Sequence, residues 1–190
     1  MLIEIENTPN PATLKFLPGR SVMGSHPPLN FASCEDVAGR SALAESLFGL
    51  SDVKHVFLGH DFISVTKTDD ADWASLRPVV LASLTSFLQS GQPLHSSLSL
   101  EEVIEETGGS PEDRDIIAQI RELLDERVRP AVAGDGGDIV FRGYKEGVVY
   151  LTMHGACSGC PSSKATLRHG VESMLRHYIP EIVAVEQIEE

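Results

Sequence analysis

Apolar positions along the chain fall into two blocks separated by a polar interval. In the first block, two short runs of strand-like composition, Leu2 to Glu6 and Thr13 to Leu17, flank the turn-rich Thr8-Pro9-Asn10-Pro11. Leu43, Leu47 and Phe48 share one face of a helix expected from about Arg40 to Phe48, with Gly49 as its stop. The runs Val53 to Leu58 and Phe62 to Lys67 flank Gly59-His60 and read as a hairpin. Trp73, Leu76, Val80, Leu84, Phe87 and Leu88 then keep helical spacing from about Asp72 to Gln89. Pro78 lies inside that run and is expected to bend the helix or weaken one turn.

Residues 91–110 are rich in Ser, Gly and Glu and contain neither Lys nor Arg, which marks them as a linker between modules at 1–90 and 111–190. Ser99 with Glu102 forms a capping box and Leu98 with Val103 a hydrophobic staple, so a helical turn or two is expected there, ended by Gly108-Gly109. A fully flexible segment of about 20 residues would span about 25 Å. In the second block Ser110 is an N-cap with Pro111 at the first helical position, and Ile116, Ile117, Ile120, Leu123, Leu124 and Val128 form one apolar stripe. Arg129-Pro130 should end or distort that helix, after which Asp135-Gly136-Gly137-Asp138 reads as a tight turn with positive φ in preference to a cation site. Strands follow at Ile139 to Gly143 and Val148 to Met153, joined near Lys145-Glu146-Gly147. A helix from Pro161 to about Tyr178, buried through Leu167, Val171, Met174, Leu175 and Tyr178, leads to a last strand near Ile182 to Ile188. The fold class is therefore α/β (α+β), with two small domains, the second an α-β-β-α-β layer.

Composition narrows the function classes. A hydrophobic content of 42% in 190 residues excludes wholesale disorder, and a formal charge of −13 with no Lys/Arg cluster argues against nucleic-acid binding. No run approaches the roughly 20 apolar residues of a membrane span, so no membrane partner is expected. The start at Met1-Leu2-Ile3-Glu4 has neither a basic n-region nor an Arg-rich, acid-poor character. This favours a bacterial cytoplasm over a mitochondrial matrix. Three cysteines, two of them in one CxxC, suit a reducing compartment better than a disulfide framework.

Cys157-Ser158-Gly159-Cys160, followed by Pro161, sets two soft sulfur ligands at the start of a helix. The positive end of a helix favours thiolate over thiol, each pKa unit being worth about 1.4 kcal/mol. Gly155, Ser158 and Gly159 suggest an exposed loop, against a reading as two buried, inert thiols. Zinc or an iron-sulfur cluster takes four protein ligands, and this module offers Cys157, Cys160 and at most His154, which alternation along its strand places on the less buried face. A symmetric dimer would assemble four thiolates at a two-fold axis, facing two helix N-termini that suit an anionic 4Fe-4S cluster. Cys34 belongs to the other module. A thioredoxin-like use, with Cys157 as nucleophile and Cys160 resolving, needs a longer sheet than the 30 or so residues after Cys160 supply. Trp73 reads as core or as an anchor between elements.

Asp135-Gly136-Gly137-Asp138, Gly155-Ala156-Cys157-Ser158-Gly159-Cys160-Pro161-Ser162-Ser163, Thr166-Leu167 and Pro180-Glu181-Ile182 together resemble the NifU C-terminal (Nfu) domain. Thr8 to Pro11, Leu14-Lys15-Phe16, Leu47-Phe48, Asp61-Phe62-Ile63, Val65-Thr66-Lys67 and Trp73 resemble the Nfu N-terminal domain. The resemblance implies a carrier that binds a 4Fe-4S cluster between two protomers through Cys157 and Cys160 and passes it to apo iron-sulfur proteins. It also implies upstream cluster-assembly partners, an apo monomer and a cluster-bridged homodimer, and no enzymatic centre. The alternative is a thiol-disulfide oxidoreductase or zinc-binding module using the same two sulfurs.

Overall fold

The structure is a computed structural model of the chain, and it describes residues 2–24, 26–94, 113–158 and 161–188, with side chains in the last stretch from residue 165. The chain divides into two compact units, Met1–Val103 and Ile104–Glu190, each with its own apolar core. The capping box at Ser99 and Glu102, the staple at Leu98 and Val103, Gly108-Gly109, and Ser110-Pro111 all lie outside the described residues.

The first unit is a five-stranded antiparallel sheet in the order β1-β2-β5-β4-β3: β1 (Glu4–Asn7), β2 (Thr13–Leu17), β3 (Leu29–Phe31), β4 (Val53–Leu58) and β5 (Ile63–Lys67). Helices α1 (Ala42–Phe48) and α2 (Trp73–Ser90) share its core, Leu43 and Leu47 with Leu76, Val80, Leu84 and Leu88, against Leu14, Phe16, Val56 and Val65. Ser41 caps α1 by accepting the Ala44 amide at 3.1 Å. The Thr8-Pro9-Asn10-Pro11 turn is fixed from within. Thr8 Oγ1 accepts from Asn10 N, Asn10 Oδ1 accepts from Ala12 N, and Trp73 Nε1 donates to the Pro11 carbonyl at 3.1 Å. Strand β3 has no counterpart in the sequence reading, because three residues are too few to show periodicity. Pro78 does not end α2; its missing amide falls early in the helix, where one lost bond is tolerated.

His55 on β4 has a ring nitrogen, Nδ1, with no solvent contact and no hydrogen-bond partner among the described residues. Burial drives its pKa from 6.5 down to about 4, against the opposing pull of Asp36. A folded-state pKa below the unfolded one means that neutral His55 supports the fold fully above pH 6.5 and that this support is lost as pH falls toward 4. Denaturant titrations at pH 7 and pH 4.5 should show a loss of about 2–3 kcal/mol, at roughly 1.4 kcal/mol per pKa unit. His55→Gln should remove most of that step; an unchanged step in the variant would contradict this account.

In the second unit, α3 (Arg114–Leu123) runs into a wide π turn, Leu124–Val128, and then α4 (Arg129–Gly134). Arg129-Pro130 therefore distorts the helix and does not end it. The Pro130 ring would meet the carbonyl four residues back in a regular helix, and it sits in the first turn of α4, where no amide is missed. Strands β6 (Gly137–Lys145) and β7 (Val148–Gly155) form a hairpin through Glu146 and Gly147, both left-handed with φ of 50° and 83°. Arg142 is an extra, bulged residue between the pairs Phe141–Leu151 and Gly143–Tyr150. Helix α5 (Pro161–Tyr178) returns the chain to β8 (Ala184–Gln187), parallel to β7, in the sheet order β6-β7-β8. Glu172 on α5 ties that edge by accepting the Val185 amide at 3.1 Å. Ile120, Leu124, Val128 and Val132 meet Ile139, Leu151 and Met153 of the sheet and Val171 and Leu175 of α5.

Candidate metal-binding site

The cysteine loop is built by two glycine turns and one close approach. Gly136 at φ 83° turns the end of α4 into β6, and Gly155 at φ 66° turns the end of β7 into a 3₁₀ turn, Ala156–Ser158. The two turns are stitched together: Gly137 pairs with Gly155 across the hairpin, Ala156 N donates to the Gly136 carbonyl at 3.1 Å, and Ser158 Oγ donates to the Gly155 carbonyl at 2.8 Å. Gly137 has to lack a side chain. A Cβ there would stand 2.9 Å from Cys157 Sγ and 2.5 Å from the His154 carbonyl.

Cys157 is consequently part of the core, with 7% of its surface exposed. Burial pushes its thiol up to about 12, and the carboxylates of Asp135 and Asp138 add to the effect. For Cys157 this corrects the expectation of an exposed thiol, while Ser158 is half-buried and Gly159 and Cys160 lie outside the described residues. Cys157 lies in the 3₁₀ turn Ala156–Ser158, ahead of α5, and burial is the largest cause of its raised pKa. Pro161 does open α5 as expected. Cys160, the second candidate ligand, lies outside the described residues. Cys34, exposed at the start of a 3₁₀ turn, belongs to the first unit.

His154 is 8% exposed and faces Asp138 in the strand register; its face, with half-buried Tyr150, is the less buried of the two, as expected, although Thr152 on it is 3% exposed and takes a hydrogen bond from Arg142. Asp138 is no cation ligand here. Its buried carboxylate is gripped bidentately by Arg129, through Nε at 3.1 Å and Nη2 at 3.0 Å, and Arg129 is held again by Asp125 at 3.0 Å. Among the described residues no three His, Cys, Asp or Glu side chains gather as an ion would need. The Arg129–Asp138 clamp and the close approach at Gly137 went unnoticed in the sequence. The available signal was an aspartate at a strand position otherwise bounded by core residues, which demands a buried cationic partner.

Two outcomes follow for the metal-free chain. At pH 8 a thiol held near 12 in place of 9.0 carries about a thousandth of the thiolate, so iodoacetamide should label Cys157 at least a hundredfold more slowly in the folded chain than in urea. Peptide mapping by mass spectrometry reads this directly, and equal rates would refute the burial. Arg129→Gln removes charged hydrogen bonds from a buried carboxylate and should cost about 2 kcal/mol in denaturant titration, with faster labelling of Cys157 as the loop loosens.

Comparisons with known proteins were made on the whole chain. A family model described as a NifU-like domain matches residues 120–186, and one described as scaffold protein Nfu/NifU N terminal matches residues 3–91. The NFU1 iron-sulfur cluster scaffold homolog, mitochondrial, of Homo sapiens is 44% identical over 99% of this chain and 72% of its own length. NifU-like protein 4, mitochondrial, of Arabidopsis thaliana is 45% identical over 98% of the chain and 66% of its own length. The chain thus spans about two-thirds of these relatives. A solution NMR structure of a NifU-like protein from Saccharomyces cerevisiae aligns at 25% identity with a TM-score of 0.46, covering 51% of this chain and 86% of that one. Relatives named as mitochondrial overturn the expectation of a bacterial cytoplasm. The features of residues 1–6 that suggested it say nothing of a compartment, because targeting leaders are removed from mature chains.

Proposed function

Since the chain belongs to the Nfu/NifU family of iron-sulfur cluster scaffolds, with a role in iron-sulfur cluster assembly, we propose that it carries a 4Fe-4S cluster between two protomers and delivers it to apo iron-sulfur proteins. The observation that carries this reading is the match to named cluster scaffolds over almost the whole chain, including the Cys157-Ser158-Gly159-Cys160 loop. The donor chemistry supports it. The two thiols of each CxxC loop are half of the four that a cluster takes, so two copies of Cys157 and Cys160 complete the set. The cluster is cargo: held at a seam between proteins, it is open to attack by a recipient's cysteines one ligand at a time, and no bond-making centre of the chain's own is required. In this reading residues 91–110 link a cluster-binding domain at 111–190 to the domain at 1–90.

A thiol-disulfide role needs an exposed, low-pKa thiol, and burial pushes the Cys157 thiol the other way, which supports the metal-binding reading. Metal loading differs in kind, since a bound metal displaces the proton outright.

Native mass spectrometry of the chain reconstituted without oxygen should find a dimer bearing one four-iron, four-sulfide cluster, and monomers once the cluster is removed. Cys157→Ala should lose the cluster and its delivery to an apoprotein. A monomer without sulfide, or a species carrying only zinc, would overturn the proposal.

A further inference from the structure

The carrier reading gives no role to the acidic residue that closes α4. Asp135 stands at the C-terminal end of that helix, its amide donating to the Ala131 carbonyl at 3.2 Å. A carboxylate there meets the negative end of the helix dipole and works against the helix. Its side chain is exposed and makes no ion pair or hydrogen bond among the described residues. The same residue lies beside the sulfur. Gly136 and Gly137, which follow it, are the backbone against which Cys157 packs: the Gly136 carbonyl accepts from Ala156 N at 3.1 Å, and a Cβ at 137 would stand 2.9 Å from Cys157 Sγ. Burial is the first cause of the raised Cys157 thiol and the Asp135 charge the second. Asp138, on the other side of the two glycines, is gripped by Arg129 through two hydrogen bonds. Of the two carboxylates that flank the sulfur, Asp135 is the one without a cation.

Resting on the carrier reading, we propose that Asp135 tunes the release of the cargo: its uncompensated charge repels the anionic cluster held by Cys157 and Cys160 and weakens its retention. A 4Fe-4S cluster with four thiolates is an anion, so a fixed carboxylate close to its ligands raises the free energy of the loaded state. A two-protomer site brings two copies of Asp135 to one cluster, and the effect counts twice. Carriage needs such a balance, because the cluster has to survive transit and still be lost to a recipient's cysteines. Four thiolates supply the first property. A permanent like charge supplies the second, and it does so with no contact that must break before transfer. The repulsion acts through solvent at an exposed side chain, so it is screened by salt, with a Debye length of about 8 Å at physiological ionic strength and about 3 Å at 1 M.

The test compares the full parent chain, reconstituted without oxygen, with Asp135→Asn, Asp135→Lys and Asp135→Glu. Loss of the cluster to a ferrous-iron chelator should be roughly threefold slower in Asp135→Asn and slower again in Asp135→Lys, and transfer to an apoprotein should slow in the same order. Asp135→Glu, which keeps the charge, should restore most of the parent's rate. The midpoint potential of the cluster should move positive in Asp135→Asn, because a lost negative charge favours the reduced form. The difference in loss rate should shrink as salt rises to about 1 M. A misfolded variant would lose its cluster faster, so it cannot imitate the expected gain, and metal-free Asp135→Asn should be no less stable than the parent in denaturant titration. Loss at the parent's rate or faster in both Asp135→Asn and Asp135→Lys, or a slowing that salt leaves unchanged, would overturn the role of Asp135 and leave the carrier reading standing. A parent chain that binds no cluster would overturn both.

Discussion

The close approach of Gly137 to Cys157 is the constraint on which the second unit's site depends. With no Cβ at 137, the first residue of β6 lies flush against the Cys157 sulfur and the His154 carbonyl. The end of α4, the start of β6, the end of β7 and the 3₁₀ turn can then meet in one small volume. Glycines in such positions cost about 0.5–1 kcal/mol each in unfolded-chain entropy. The bidentate Arg129–Asp138 pair offsets that cost, with charged hydrogen bonds worth about 1.5–3 kcal/mol. The geometry of the sulfur is thus set by groups that make no use of sulfur chemistry.

That packing also decides the proton. A helix N-terminus stabilises a nearby anion by about 0.3–1 kcal/mol at an exposed site, and the effect fades within one turn. Raising a thiol from 9.0 to about 12 corresponds to roughly 4 kcal/mol in the other direction. Burial is the largest cause of the raised thiol pKa, and Cys157 lies in one core cluster with Met153 and Val171. His55 in the first unit obeys the same logic with the opposite charge type: burial removes the cationic form of the imidazole, as it removes the anionic form of the thiol.

Much of the fold was legible because long periodic segments report their own burial. The stripe Leu76, Val80, Leu84 and Leu88 is the buried face of α2, and Pro161 and Tyr178 bound α5 as the pattern suggested, although Tyr178, expected to be buried, is 45% exposed at the helix end. What escaped was short or depended on partners distant in sequence. Strand β3 is held by pairing Leu29 with Leu58, a contact no local window contains. The wide turn before Arg129 answers a proline's steric demand, and Val128 at its end and Val132 beyond it are both buried by partners distant in sequence.

The same distinction governs the site. The identity and spacing of the candidate sulfur ligands are local properties, and so is the turn at Gly136, which is why Cys157 and its loop could be singled out from residues alone. The environment of Cys157 is not local. It is made by Gly137 and Asp138, which are separated from it by a whole hairpin and brought alongside only by the register that pairs Gly137 with Gly155 and Asp138 with His154. A shift of that register by one residue would exchange Asp138 for Ile139 opposite His154 and turn the Arg129-bound carboxylate to the other face of the sheet. The hairpin register, fixed by the left-handed pair Glu146 and Gly147 at its far end, is therefore what converts a recognisable cysteine motif into a defined chemical environment.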